Sequence, residues 1–289
     1  MNTDNSLDTS QIPPWAGERQ GISVIMPVHE HTPYLAPAIL SMLEQTHAAL
    51  ELLVVVNGPH EVLTQRLQTD FQHDARVRIL YTPIPGLPFA LNLGLSAARH
   101  ELVARMDSDD ISHPDRLQLQ HDFLMHHPEV TVLGTDFSVI DEQGHTLRES
   151  SRQGLGNRAI RRTLPLRNLL CHPSIVFRRE AVIRAGGFSL GACSEDYDLW
   201  LRLRRRPDTQ FHVLPLALLA YRRHSSQATA GSSNLPIFAY DFTLKLRELL
   251  LTREWIYLPG LAFSCIDLLY KHLVRWRSIL FAKASSFSD

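Results

Sequence analysis

Three carboxylates fall within four residues at Asp107-Ser108-Asp109-Asp110. Acids this close repel one another, and a divalent cation with oxygen ligands relieves the repulsion. A Mg2+ or Mn2+ ion held there would neutralise a diphosphate and help it leave. The same residues could serve as solvated loop acids or helix caps, because acid-rich turns are common and short motifs recur by accident. A second pair, Glu195-Asp196, opens a segment whose later residues Leu199, Trp200 and Leu203 read as core. A carboxylate there could take a proton from a hydroxyl within about 2.6–3.2 Å. It could also do no more than favour a helix N-terminus through the dipole. His224 is one of 15 histidines, most of which must be ordinary surface or core residues. Cys171, Cys193 and Cys265 form no C-x-x-C pair, so neither a disulfide framework nor a zinc site is supported, and a reducing cytoplasm is the natural compartment. Neither a dinucleotide fingerprint after the first strand nor a P-loop is present.

The elements that must position these groups alternate. Residues 22–27 (ISVIMP) read as a buried strand, and Thr32-Pro33 as a helix start with threonine as N-cap. Leu35, Ile39, Met42 and Leu43 recur at helical spacing, and residues 51–56 (ELLVVV) form a second buried strand ending at the turn Asn57-Gly58. Strand, helix, strand begins a parallel α/β sheet. The alternation predicts a helix over 60–71, a strand over 77–81, a helix over 89–99 and a strand over 102–106. The acidic cluster therefore sits in the loop at the C-terminal end of a strand, the edge where open α/β sheets bind ligands. Ser112-His113-Pro114-Asp115 fits a capping box leading a helix that stops before Pro128. A strand over 130–140, a hairpin turn at 141–144 and a strand over 174–177 follow. Helices from Glu180 to Gly186-Gly187 and from Glu195 to about 206, a strand over 213–221 and a helical tail complete the pattern.

With 44% hydrophobic and 20% charged residues, the 289-residue chain is neither disordered nor fibrous and can bury a full core. Its charge is segregated: residues 1–154 carry 9 Lys/Arg against 20 Asp/Glu, and residues 155–223 carry 13 against 5. The basic part suits an anionic partner such as a diphosphate-bearing acceptor or an acidic lipid surface. The stretch from Trp255 to Tyr270 contains Asp267 and is too short and polar for a membrane span. The tail from Ile237 to Ala284 mixes apolar and aromatic residues with basic ones, as in Arg275-Trp276-Arg277. It fits either a membrane-surface helix or a helix pair folded back on the preceding domain.

Several stretches in order resemble the family 2 glycosyltransferases. Residues 86–94 (GLPFALNLG), Ala97-Ala98-Arg99 and residues 102–116 (LVARMDSDDISHPDR) look like that family's donor-site region. The resemblance resumes at 172–177 (HPSIVF), Gly186-Gly187-Phe188, 195–200 (EDYDLW) and Tyr221-Arg222-Arg223-His224, and it spans about 21–229. It implies a GT-A type fold, a mostly parallel central sheet flanked by helices, with a helical C-terminal tail. The implied units are a flexible leader at 1–20, a catalytic domain at 21–230 and an appendage at 231–289. Within the domain, 21–110 would bind the donor nucleotide and 111–230 the acceptor.

Carried over by position, Asp109 looks like the principal metal ligand, with Asp107 on the metal or the ribose, Asp110 as a third member and His224 approaching the metal or diphosphate. Asp196 looks like the base that deprotonates the acceptor hydroxyl, which implies inversion. The resemblance also puts Pro27, Val28, Glu30, Asn57 and Arg105 at the donor, and His172, Glu195 and Trp200 at the acceptor. Two departures stand out. Val56-Asn57 occupies the place of an Asp-Asp or Asp-Asn pair in which an aspartate reads uracil, and His29-Glu30 replaces an aromatic-asparagine pair. The Asn57 amide still offers a donor and an acceptor. The implied activity is metal-dependent transfer from a nucleotide-diphospho-sugar, a UDP-sugar by family habit, to a glycan or lipid-linked acceptor in bacterial surface polysaccharide synthesis. The implied location is the cytoplasm, at the inner face of the membrane, with no nucleic-acid partner. A catalytically silent nucleotide-sugar binder is the alternative.

Overall fold

The computed structural model describes residues 21–149, 154–189, 194–225, 227 and 234–269. The expected leader and the Arg275-Trp276-Arg277 segment lie outside the described residues. Strands β1 (Ile22–Val28), β2 (Leu50–Asn57), β3 (Val77–Thr82) and β4 (Leu102–Arg105) run parallel in the order β3-β2-β1-β4. Helices α1 (Leu35–Leu43), α2 (Glu61–Phe71) and α3 (Leu87–Ala97) connect them. Side chains of β1 and β2 alternate between two apolar layers. Val24, Met26, Val28, Leu52 and Val54 pack with α1 and α2, whereas Ile25, Leu53 and Val55 pack with α3. Both faces are therefore covered, which is why these strands read as unbroken apolar runs. Gly94 lets α3 press onto β1, since a Cβ there would lie 2.6 Å from the Ile25 side chain. The chain moves from β1 to β2 on one side and places β4 on the other, so a crevice opens at the C-terminal ends of β1 and β4.

Beyond β4 the sheet is mixed. Strands β5 (Ile111–Ser112), β6 (Val132–Ile140), β7 (Thr146–Arg148), β8 (Val176–Arg178) and β9 (Phe211–Arg222) continue it as β4-β8-β6-β9-β5, with β7 on β6. The β6–β9 pair is parallel, and β4–β8, β6–β8 and β5–β9 are antiparallel. Helices α4 (Arg116–His126), α5 (Asn157–Thr163), α6 (Arg179–Arg184), α7 (Glu195–Arg204) and α8 (Asn234–Thr252) lie outside the sheet, and a last helical run covers 257–269.

Two local helix-start signals do not hold. Ser112 is drawn into β5 opposite Leu219, so no capping box forms; α4 starts only at Arg116, and the Asp115 carboxylate instead accepts from Thr46 Oγ1 at 3.0 Å. Thr32 does not cap α1 either. The helix begins at Leu35, whose N–H meets the Thr32 carbonyl at 3.3 Å, and the Thr32 hydroxyl is buried without a partner. The seven-residue α5, which buries only Ile160, left too short a pattern to read.

The described part of the tail folds back on α7. Arg247 reaches Asp198 at 2.5 Å, Arg205 reaches Glu248 at 3.2 Å, and Arg204 reaches Glu254 at 2.7 Å. Gly260 permits the final approach, because a Cβ there would collide with the Pro165 carbonyl. No helix among the described residues is long and apolar enough to cross a membrane.

Candidate active site

After β4 the chain is pinned to β1 by the Met106 N–H on the Ile25 carbonyl at 3.1 Å, and it then turns through the acidic cluster into β5. Carboxylate oxygens of Asp107, Asp109 and Asp110 come within 4.8 Å of one another at the crevice. Asp110 is wholly buried; burial, then the charges of Asp107 and Asp109, push its carboxyl well above the usual range. Burial also raises Asp107, opposed by the Arg105 guanidinium 2.5 Å away. Asp110 Oδ1 accepts from the Arg222 N–H at 2.8 Å, but Oδ2 is buried with no hydrogen-bond partner. A buried, unpartnered carboxylate oxygen beside two further carboxylates fits a hard divalent cation, which would satisfy it and lower all three acids together.

Strand β9 brings the distant Arg222 and His224 to the cluster. His224 Nε2 lies 2.9 Å from Asp109 Oδ2, so the expected grouping of His224 with Asp109 is present. Arg222 Nε donates to the Asp109 carbonyl at 2.9 Å, its Nη1 reaches the Asp141 carbonyl at 3.0 Å, and its guanidinium covers the Tyr34 ring. Arg222 thus fixes the acidic loop to the β6–β7 turn. Arg116 anchors the end of β4 from beneath. It is fully buried, donates to the Arg105 carbonyl at 2.7 Å and bonds Gln120, which reaches the Leu133 and Ser174 carbonyls. Burial lowers its pKa to about 10, which still leaves it charged at neutral pH. Neither role was readable from residue type alone.

The donor-side residues divide. Pro27 and Val28 lie buried in β1, so only their main chain can reach the crevice, whereas Glu30 is exposed just beyond it. Asn57 ends β2 as a brace: its Nδ2 donates to the Val28 carbonyl at 3.0 Å, and its Oδ1 accepts from the Gly86 N–H at 3.0 Å. One amide hydrogen and one lone pair remain.

Across the crevice, α7 starts after Ser194, whose φ is 59°, and its first turn carries Glu195 and Asp196. Burial raises the Asp196 carboxyl, and Asn168 opposes this by donating to Asp196 Oδ2 at 2.8 Å. Asn168, absent from the sequence reading, is the residue that orients this carboxylate. Glu195 is pushed up to about 7 by burial and by Asp196. Its neighbour His172, 3.8 Å away, is held well below its usual value by burial and by Arg105, so it is neutral. Trp200, expected at the acceptor, is fully buried in the apolar layer instead and touches the site only from behind, its ring against His172.

Arg105 is buried between the two halves. Its charge is felt by Asp107 and Asp110 on one side and by Glu195 and Asp196 on the other, and its Nε has no partner. A cavity of about 160 Å3, lined by Phe137, Asn168, Leu170, Cys171 and Tyr221, lies within the second half. Tyr221 senses all three acids, its phenol raised by burial and then by Asp107, Asp110 and Asp109.

A mostly parallel sheet with an acidic loop at its switch point, faced by a second, helix-borne carboxylate, defines an α/β protein of the GT-A type. The family model described as "Glycosyl transferase family 2" matches residues 23–186, and the chain belongs to that family. The O-antigen biosynthesis glycosyltransferase WbnJ of Escherichia coli is 35% identical over 206 residues, covering 71% of this chain and 80% of its own. The amylovoran biosynthesis glycosyltransferase AmsE of Erwinia amylovora is 34% identical over 172 residues, covering 58% of this chain and 63% of its own. Among solved structures, S. aureus TarS in complex with UDP-GlcNAc aligns with a TM-score of 0.62 at 18% identity. That alignment covers 80% of this chain and 66% of the other, and the likeness is one of fold.

Proposed function

We propose that residues 21–230 form an inverting glycosyltransferase that moves a sugar from a nucleotide-diphospho-sugar, a UDP-sugar, to a hydroxyl of a glycan or lipid-linked acceptor. Bacterial surface polysaccharide synthesis is the proposed setting, supported by the O-antigen and amylovoran assignments of the two relatives. One observation carries the reading: two separate acidic groups, the Asp107-Asp109-Asp110 triad and the helix-borne Asp196, both feel the charge of the buried Arg105.

Asp107, Asp109 and Asp110, with His224 beside them, would hold a divalent cation, Mn2+ or Mg2+, which when bound neutralises the departing diphosphate. Arg105 adds a fixed positive charge in a site shielded from water, where it acts more strongly than at the surface. Asp196 takes the acceptor proton. Burial moves its pKa toward the operating range, and Asn168 keeps Oδ2 oriented and ionised. Attack on the face opposite the diphosphate inverts the anomeric centre.

Glu195 gives the site a pH signature. The folded chain holds its proton from the ordinary value of 4.5 up to about 7, whereas the unfolded chain releases it near 4.5. Stability therefore falls as pH rises through that window and stays lowered above it. Glu195→Gln is expected to raise the melting temperature relative to wild type near pH 8 and to leave it unchanged near pH 4. An equal shift at both pH values would contradict the assignment.

Membrane contact through the tail is part of the proposal. Both tail helices leave apolar residues exposed: Asp241, Lys245, Glu248 and Ser264 face the protein together with Leu244, Leu249 and Tyr257, while Leu235, Leu250, Ile266 and Leu269 face outward. Leu250 is 69% exposed and Ile266 63%, and Trp255 in the connecting turn is 76% exposed. A helix face made for water would carry polar residues at these positions. A bilayer surface accepts such a face. The double variant Leu250→Glu/Ile266→Glu should reduce flotation with acidic vesicles about tenfold or more while retaining its melting temperature; undiminished flotation would refute the contact.

A further inference from the structure

We infer that a cavity of about 240 Å3 between α7 and the tail helices is the subsite for the acceptor's sugar, so that acceptor choice is encoded in the tail. The inference rests on Asp196 being the base, because Asp196 lines this cavity. Asn168 lines it too and also borders the smaller space beside Tyr221. The two spaces therefore share Asn168, the hydrogen-bond partner of Asp196.

Size and lining identify the occupant. The volume lies below the roughly 300–1,000 Å3 of pockets that enclose drug-sized ligands, so the cavity suits one small ring and not a whole nucleotide-sugar. Phe238 of α8 and Phe263 of the 257–269 helix supply apolar ring surface. Arg167, Asn168, Asp196 and Asp267 supply donors and acceptors. Lys245 and Asp241 are paired at 2.8 Å and brace the wall between the helices. The lining contains three carboxylates against two cations, which opposes a phosphate and suits a neutral polyol. Aromatic surface beside carboxylate and amide groups can pack the C–H face of a pyranose and bond its hydroxyls. The walls at 194–268 lie outside the 23–186 stretch matched by the family model, as a part that varies with acceptor would.

The test uses the full chain and a panel of methyl glycosides as probes, with dissociation constants measured by ligand-observed NMR in the absence of donor. At least one pyranoside should bind wild type saturably, and Phe238→Ala and Phe263→Ala should each weaken it about fivefold or more. Arg158→Ala, which does not line the cavity, should leave binding unchanged. Lack of binding to wild type, equal binding by both phenylalanine variants, or inorganic pyrophosphate binding lost in Arg167→Ala would overturn the assignment. Nucleoside diphosphate release by wild type from a nucleotide-sugar panel is measured separately. Glycoside binding without such release would leave a sugar-binding cavity but defeat the transferase reading and with it the acceptor role; release without cavity-dependent glycoside binding would overturn the subsite and leave that reading standing.

Discussion

Replacing Asp196 by asparagine is expected to leave nucleotide-sugar affinity within about twofold of wild type while transfer falls about a hundred- to ten-thousandfold, the range a positioned base contributes. The substitution is nearly isosteric and can keep the Asn168 contact through the new side-chain oxygen. Only the ability to accept the acceptor's proton is lost. Donor hydrolysis by water should fall less than transfer, because the diphosphate side is untouched. Stopped transfer with intact binding, read by product analysis and calorimetry on the same samples, is the expected pattern; full transfer in Asp196→Asn would remove Asp196 as the base. Asn168→Ala provides a graded version. Its hydrogen bond lowers the Asp196 pKa, so the acid limb of the pH–rate profile should move to higher pH when it is removed.

The second large effect is expected at Asp109. This carboxylate lies in the acidic triad and also meets His224 at 2.9 Å, while its main-chain carbonyl is held by Arg222. Asp109→Ala removes a ligand oxygen without disturbing the Arg222 contact, which goes to the backbone. The Mn2+-dependent part of nucleotide-sugar binding should disappear, a loss of at least tenfold in calorimetric affinity. Asp110→Ala should be more damaging to the fold, because Asp110 is wholly buried and accepts the Arg222 N–H. Unchanged affinity in Asp109→Ala with Mn2+ present would sink the metal assignment.

The parts of this site legible in the sequence are those whose physics is local. β1 and β2 announce themselves because both faces are buried, and the acidic loop is conspicuous because like charges crowd within four residues. The parts not legible depend on partners far along the chain. Ser112 looked like a helix cap until β9, more than 100 residues later, offered it a strand partner. Arg116, Asn168 and Arg222 act through hydrogen bonds spanning 11, 28 and 113 residues, so their roles emerge only once the sheet has closed. The arginine excess in the second half looked like an anion-binding surface, yet much of it is structural. Arg161, Arg178, Arg179 and Arg204 donate to main-chain carbonyls of neighbouring elements. Of the two arrangements its composition suggested, the described part of the tail takes the folded-back one, against α7, with several leucines left exposed.

The most direct test of the central claim is a panel of nucleotide-sugars screened for thermal stabilisation and nucleoside diphosphate release, with and without Mn2+, on wild type and Asp109→Ala. The expected result is one donor, uridine-based, that stabilises and turns over wild type only with the metal and does neither in the variant. Metal-dependent stabilisation without release under any acceptor condition would identify a silent binder. The absence of any nucleotide-sugar that binds wild type would contradict the account outright.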